Sequence, residues 1–126
     1  MIVVDASAMI EALNRSAKGR ALEALLDDDL AAPDTVIPEV VRYYGRFDRA
    51  GRQRDLAASA ISDFEAADIQ YVPVWPYTGR IWELRHAVSA YDACYVAVAE
   101  ALGCPLLTTD SRLAGANGLR APIIVV

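Results

Sequence analysis

Residues 104–113 read CPLLTTDSRL. An apolar run ends here, and the first charged side chain after it is a carboxylate, Asp110. The chain opens in the same way: MIVVDAS places Asp5 directly after Ile2, Val3 and Val4. Short runs that are apolar on both faces read as buried strands, and such strands belong to parallel sheets covered by helices. Ligand sites in these sheets form beyond the carboxyl ends of the strands. An aspartate ending each of two such runs therefore puts two carboxylates at one edge.

The rest of the chain alternates in the way that a covered parallel sheet requires. Residues 7–13 and 16–28 carry helical spacing, the second with Ala21, Leu22, Leu25 and Leu26 on one side. Asp27-Asp28-Asp29 reads as a solvated loop, and Leu30-Ala31-Ala32 as a short strand before Pro33. Pro38 suits the first turn of a helix running to about Ala50, where its missing N–H is harmless. Residues 53–66 read as a helix, Ile69–Val74 as a strand and Tyr77–Val88 as a helix. YDACYVAVAEAL, from Tyr91 to Leu102, is a helix stopped by Gly103 and Pro105. Leu106–Thr108 is a strand, Ser111–Ala114 a short helix, and Ile123–Val126 the last strand. The 126 residues make one domain's worth of chain, expected as a single domain over 1–126.

Composition narrows the function classes. A hydrophobic share of 55% excludes disorder and leaves a surplus for an exposed patch or an oligomer interface. The net charge of −5 argues against a protein that coats nucleic acid, though not against an enzyme that approaches it through metal ions. Of the 12 basic residues only Lys18 is a lysine, which removes mechanisms needing a second one. Cys94 and Cys104 flank one predicted helix, about 15 Å apart at 1.5 Å per residue, too far for a disulfide. Reduced, buried thiols, no long apolar run and no signal-like start together imply a cytoplasmic protein without a membrane span.

Two more carboxylates fall at the same edge. Asp92 lies in the first turn of the helix that leads into the strand ending at Thr108, and Glu39 in the first turn of a helix that follows a strand. Each of the four has a structural explanation: Asp5 or Ser7, and Asp110 or Ser111, can cap helices, while Asp92 and Glu39 complement helix dipoles. If they converge, electrostatics decides. Two carboxylates 4 Å apart repel by about 4 kcal/mol at an effective dielectric of 20, so a cluster takes up protons or a cation. Oxygen-only ligands favour Mg²⁺ or Mn²⁺ over Zn²⁺, and such ions can activate water for phosphodiester hydrolysis. Phosphatases of the haloacid-dehalogenase type and response-regulator receivers also place an aspartate after the first strand. Both need a downstream lysine, which is lacking. No GxGxxG or P-loop occurs.

MIVVDASAMIEAL, APDTVIPEV, YDACYVAVAEALGCPLLTTDSRLA and the closing APIIVV together resemble the PIN-domain ribonucleases, in particular the VapC toxins of bacterial toxin–antitoxin pairs. The resemblance covers essentially the whole chain. It implies a three-layer α/β/α fold with a central parallel sheet and a metal-dependent endoribonuclease. It implies that Asp5, Glu39, Asp92 and Asp110 are the catalytic acidic positions and metal ligands, Asp5 and Asp92 foremost. Thr108 matches a hydroxyl that orients the cluster, with Ser7 in a similar role. It further implies an RNA substrate, a VapB-like antitoxin whose tail covers the acidic pocket, and a homodimer. Ala90 stands where the family commonly has threonine.

Arg42, Arg46 and Arg49 follow Glu39 at spacings that share its helix face, a basic track suited to RNA phosphates, or else a solvated face opposite Val40, Tyr44 and Phe47. Arg85 and Arg112 are weaker candidates for that role. His86, the only histidine, reads as a surface residue at a helix end. Trp75, Trp82 and Tyr77 could stack bases but are expected to pack in a core or an interface, and Tyr91 and Tyr95 around Asp92. Tyr43 and Tyr44 could receive a partner helix. The rival reading is a PIN-like module that binds RNA or protein without cutting it. Retention of all four acidic positions favours the enzyme.

Overall fold

Ile2–Val4 forms β1, fully buried and central in the sheet. The computed structural model describes residues 1–23 and 27–126. After β1 come α1 (Ala6–Leu13), α2 (Ala17–Glu23), β2 (Leu30–Pro33), α3 (Val36–Arg49), α4 (Arg54–Ala66) and β3 (Ile69–Val72). A 3₁₀ turn at Trp75–Tyr77 leads into α5 (Thr78–Glu83), α6 (Ala90–Leu102), β4 (Leu106–Thr108), α7 (Ser111–Ala114) and β5 (Ile123–Val125). The five strands run parallel in the order β3-β2-β1-β4-β5. From β1 the chain builds outward through β2 and β3, then crosses back by α6 to place β4 on the other side of β1. The winding direction thus switches between β1 and β4, and the crevice above that switch is where such sheets bind ligands.

Helices cover both faces, giving the three-layer α/β/α arrangement. On one face α6 packs across β1, β2 and β4, with α5 beside it; on the other α1 lies against the sheet and carries α2, α3 and α4. This explains why Val3, Val4, Leu106 and Leu107 are all buried, as their unbroken apolar runs require. It also explains why α6 is buried continuously from Ala93 to Ala99. Gly103, at φ 64°, ends that helix in the left-handed conformation that glycine adopts freely. Cys94 and Cys104 are free and buried.

Three elements differ from the sequence expectation. The strand from Ile69 stops at Val72 rather than Val74, because Pro73 has no N–H to continue the ladder. The helix expected over Tyr77–Val88 ends at Glu83. The Arg85 guanidinium donates to the Trp82 carbonyl at 2.9 Å, and Ala87 and Val88 both donate to the Leu84 carbonyl, closing the chain into turns. Of the helix expected over 16–28, Leu25 and Leu26 lie outside the described residues, and Asp28 is instead paired with the N-terminal amine at 3.0 Å. Pro38 is the third residue of α3, where no intrahelical partner exists for an N–H.

One polar cluster ties the loop before β5 to the α5–α6 layer. Arg80 donates to both oxygens of Glu100, at 2.8 and 3.0 Å, and to the Gly118 carbonyl, while the Arg120 N–H donates to Glu100 at 2.8 Å. Burial pushes the Glu100 carboxyl up, but Arg80 and the Arg120 N–H outweigh it and hold the group below its ordinary 4.5. A depressed folded pKa contributes stability above the ordinary value and loses it as pH falls through the folded one. Glu100→Gln is therefore expected to lower unfolding free energy at pH 7 by about 1–3 kcal/mol. In urea titrations the gap between the two proteins should close as pH drops below 4.5. A constant gap would mean that charge is not what Glu100 contributes.

Candidate active site

Asp5 follows β1 at the centre of the sheet and is only 5% exposed. Its backbone N–H continues the ladder to the Leu107 carbonyl at 3.0 Å, so its side chain stands at the mouth of the β1–β4 crevice. One carboxylate oxygen accepts from the Ser7 hydroxyl at 2.6 Å and the Ala8 N–H at 2.9 Å, which makes Asp5 the N-cap of α1. The other accepts from the Thr108 hydroxyl at the end of β4. Thr108 in turn accepts from the Asp110 N–H at 3.0 Å, and Ser7 from the Thr109 N–H at 3.1 Å. Two hydroxyls thus stitch the ends of β1 and β4 together through one carboxylate. Burial pushes the Asp5 carboxyl above its usual range, the Ser7, Thr108 and Ala8 donors pull it back, and the charge on Asp92 adds to the rise.

Glu39 is half-buried in the first turn of α3, where the Tyr95 hydroxyl of α6 donates to it at 3.1 Å. Burial pushes the Glu39 carboxyl up, Tyr95 offsets this, Asp5 and Asp92 raise it further, and Arg42 lowers it. Burial, then the Glu39 charge, push the Tyr95 hydroxyl far up. Asp92 sits in the first turn of α6, its N–H donating to Ser89 at 3.2 Å. Ser89 supplies the cap that Ala90 does not. Asp110 caps α7 and is gripped by Arg112, whose guanidinium reaches both of its oxygens, the shortest contact being 2.8 Å. That pairing holds the Asp110 carboxyl below its usual range.

Asp5, Glu39 and Asp92 are therefore within electrostatic reach of one another. Asp92 and Asp110 face a common groove of about 370 Å³, rimmed by Arg85, His86, Ser89 and Arg112. Among the described residues no three acidic, histidine or cysteine side chains already stand as a closed ligand set for an ion. The carboxylates of Asp5, Glu39 and Asp110 are held by protein donors instead. The donor set is nonetheless hard oxygen throughout, and Asp5 and Glu39 are both raised, first by burial and further by neighbouring carboxylate charge. That is the chemistry a divalent cation relieves, and Mg²⁺ binds through one or two carboxylates with water filling the remaining positions.

The arginines differ in reach. Arg42 is close enough to act on Glu39; Arg46 and Arg49 are exposed further along α3. Tyr95 packs inside as expected, but onto Glu39, whereas Tyr91 is 55% exposed. Trp75 and Trp82 are exposed, not packed in the core, because the short 3₁₀ turn and α5 present them outward. His86 is an exposed residue of the turn after α5, as expected. Tyr44 is buried and donates to Asn14 at 2.7 Å. Sequence reading missed the Tyr95–Glu39 bond and the Arg112–Asp110 pair. The spacing of Tyr95 three residues after Asp92 is the signal that puts both on one side of α6.

The PIN domain family model matches residues 2–119 of the chain. Ribonuclease VapC9 of Mycobacterium tuberculosis is 40% identical over 129 residues, spanning 100% of this chain and 98% of that protein. Ribonuclease VapC1 of the same organism is 38% identical, over 98% of this chain and 96% of its own length. Among solved structures, VapBC2 from Rickettsia felis bound to a promoter DNA fragment superposes with a TM-score of 0.73 at 15% identity, over 100% of this chain and 99% of that one. VapC20 of M. tuberculosis, titled a sarcin-ricin loop cleaving toxin, gives 0.65 at 20% identity, over 91% and 94%. The chain belongs to the PIN-domain family, in its VapC ribonuclease branch.

Thr108 makes the site depend on the fold. Thr108→Val keeps the shape but leaves the Asp5 oxygen and the Asp110 N–H without their shared partner. It is expected to lower stability by about 1–3 kcal/mol in chemical denaturation, with Thr108→Ser recovering most of the loss. Full stability in Thr108→Val with a loss in Thr108→Ser would assign the contribution to the methyl group rather than the hydroxyl.

Proposed function

We propose that this protein is a metal-dependent endoribonuclease that hydrolyses RNA phosphodiester bonds and acts as the toxin of a toxin–antitoxin pair. The observation that carries the reading is Asp5. A carboxylate 5% exposed, fixed by Thr108, Ser7 and Ala8 and raised further by the charge on Asp92, lies deeper and closer to like charge than helix capping requires. Asp5 and Asp92 would hold Mg²⁺ or Mn²⁺, with Asp110 and Glu39 completing the pocket. Such an ion supplies positive charge at the scissile phosphate and lowers the pKa of a water. Thr108 and Ser7 keep Asp5 aimed into the crevice. Glu39, raised by burial and hydrogen-bonded by Tyr95, would take a proton from the attacking water. Arg42, with Arg46 and Arg49 beyond it, gives the substrate's phosphates a cationic approach that the net charge of −5 does not provide.

The biological setting is part of the same proposal, with the VapBC neighbour as its support. A VapB-like antitoxin would mask the acidic pocket, and the toxin would work as a homodimer in the cytoplasm. No described helix is long and apolar enough to cross a membrane.

The test is incubation with total RNA, with and without Mn²⁺, beside Asp5→Asn protein purified identically and freed of any copurifying partner. Discrete, metal-dependent cuts by the wild type are expected. Losing the outer partners of a metal ligand reduces activity about 10–100-fold, so Asp5→Asn and Asp92→Asn should each lose more than about 100-fold. Equal activity in wild type and Asp5→Asn would defeat the proposal. Calorimetry gives an independent reading: Mn²⁺ at about 100 times its dissociation constant should add about 2.7 kcal/mol of stability, seen as a rise in Tm. Asp5→Asn should abolish that rise.

A further inference from the structure

Trp82 is 65% exposed, an expensive way to place an indole if it serves only the fold. It is also not free. The Arg85 guanidinium carbon lies 4.2 Å from the centre of its ring, and the same guanidinium donates to the Trp82 carbonyl at 2.9 Å. The turn after α5 thus holds a cationic plane over one part of the indole while most of the ring stays open to solvent. Arg85 is at the same time a wall of the groove that contains Asp92 and Asp110. The stacked pair therefore stands one side chain away from the carboxylates. Arg112 lines the same groove, its side chain 89% exposed and its fork resting on Asp110.

We propose that Trp82, Arg85 and Arg112 form a nucleotide subsite that positions unpaired RNA beside the carboxylate groove. A base stacks on the Trp82–Arg85 pair, and the adjoining phosphate is taken by Arg112. The chemistry is specific to a nucleic acid strand with its bases free. Indole and guanidinium planes both stack on bases of any sequence, and a base held inside a duplex presents no face to them. The guanidinium fork matches phosphate geometry as well as it matches a carboxylate. The ion pair of Arg112 with Asp110 is exposed and solvent-screened, so Arg112 exchanges one anion for another readily. Arg85 and Arg112 line the groove together with Asp92 and Asp110, so it offers cations to phosphates beside its carboxylates. The subsite rests on the nuclease reading above and adds to it the grip on the strand.

The test uses the full chain and a 12-nucleotide single-stranded RNA of random sequence, with the matching duplex as comparison. Binding is read by fluorescence anisotropy in EDTA, where cleavage is blocked. Trp82→Ala and Arg85→Ala are expected to weaken single-strand binding by about 5- to 100-fold, with Trp82→Phe close to wild type. Trp75→Ala removes a still more exposed indole that belongs to the 3₁₀ turn rather than to the Arg85 stack, and it should change binding less than about twofold. Duplex binding should be unaffected in all of them. In Mn²⁺, Trp82→Ala should raise KM for single-stranded RNA and leave kcat within a few-fold of wild type. Cleavage by the wild type with an unchanged KM in Trp82→Ala would overturn the subsite and leave the nuclease standing. Failure of the wild type both to bind and to cut would overturn both. Sedimentation separates the competing use of this surface: a change in oligomeric state in Trp82→Ala would make it an interface between copies and defeat the subsite.

Discussion

Everything at the carboxyl edge of the sheet hangs on one carboxylate accepting from two hydroxyls of different origin. Ser7 comes from the first turn of α1 and Thr108 from the last residue of β4, and both donate to Asp5. Those same hydroxyls accept backbone N–H groups from Thr109 and Asp110. The arrangement satisfies four polar groups at a place where water is largely excluded, and an unmet donor or acceptor there would be costly. It also fixes the separation of β1 from β4 where the sheet would otherwise splay. The crevice keeps its width because of a hydrogen-bond network, and the acid inside it keeps its aim for the same reason.

Structural and functional explanations of the acidic residues therefore coincide. Asp5 and Asp110 are both helix N-caps, and Asp92 opens α6 next to the Ser89 cap. Helix starts gather at this edge because every parallel strand ends there and most pass directly into a helix. A polar cap is needed at each start, and the partial positive charge of the helix favours an anion. A fold of this topology concentrates carboxylates at one end before any catalytic demand is made of them. What marks Asp5 out is depth: it is buried with like charges nearby, which capping alone does not require.

Strands and helices were legible because their signals are local. Ile2-Val3-Val4 and Leu106-Leu107-Thr108 read as two-sided burial, Pro73 and Gly103 mark stops, and the run from Tyr91 to Leu102 has no helix breaker. The helix after Tyr77 was read too long because what ends it, the Arg85 guanidinium on the Trp82 carbonyl, is a contact no propensity encodes. Of the two places expected for Trp82, core or interface, the core fails for a related reason: six residues of α5 are too few to define an apolar face. At the site, the residue types and their strand-end positions were visible, but their partners were not. Tyr95 reaches Glu39 across 56 residues of sequence, and only the packing of α6 against the sheet makes that meeting. Arg112 and Asp110 are neighbours in sequence, yet their spacing alone cannot say whether the arginine grips the acid or extends into solvent.

The strand order carries a consequence for how the molecule comes into being. Asp5 and Thr108 are separated by 103 residues, and β1 is the first strand synthesised while its neighbour β4 is the fourth. A growing chain can assemble β1, β2 and β3 with their helices, but one flank of β1 then remains an open edge. Asp5 lacks its Thr108 donor, and the wall carrying Asp110 does not exist. Contacts so distant in sequence form late in folding. The crevice is thus a built-in delay line: a ribosome making this chain sits beside an unfinished pocket, and the pocket closes only after the last quarter of the sequence has emerged.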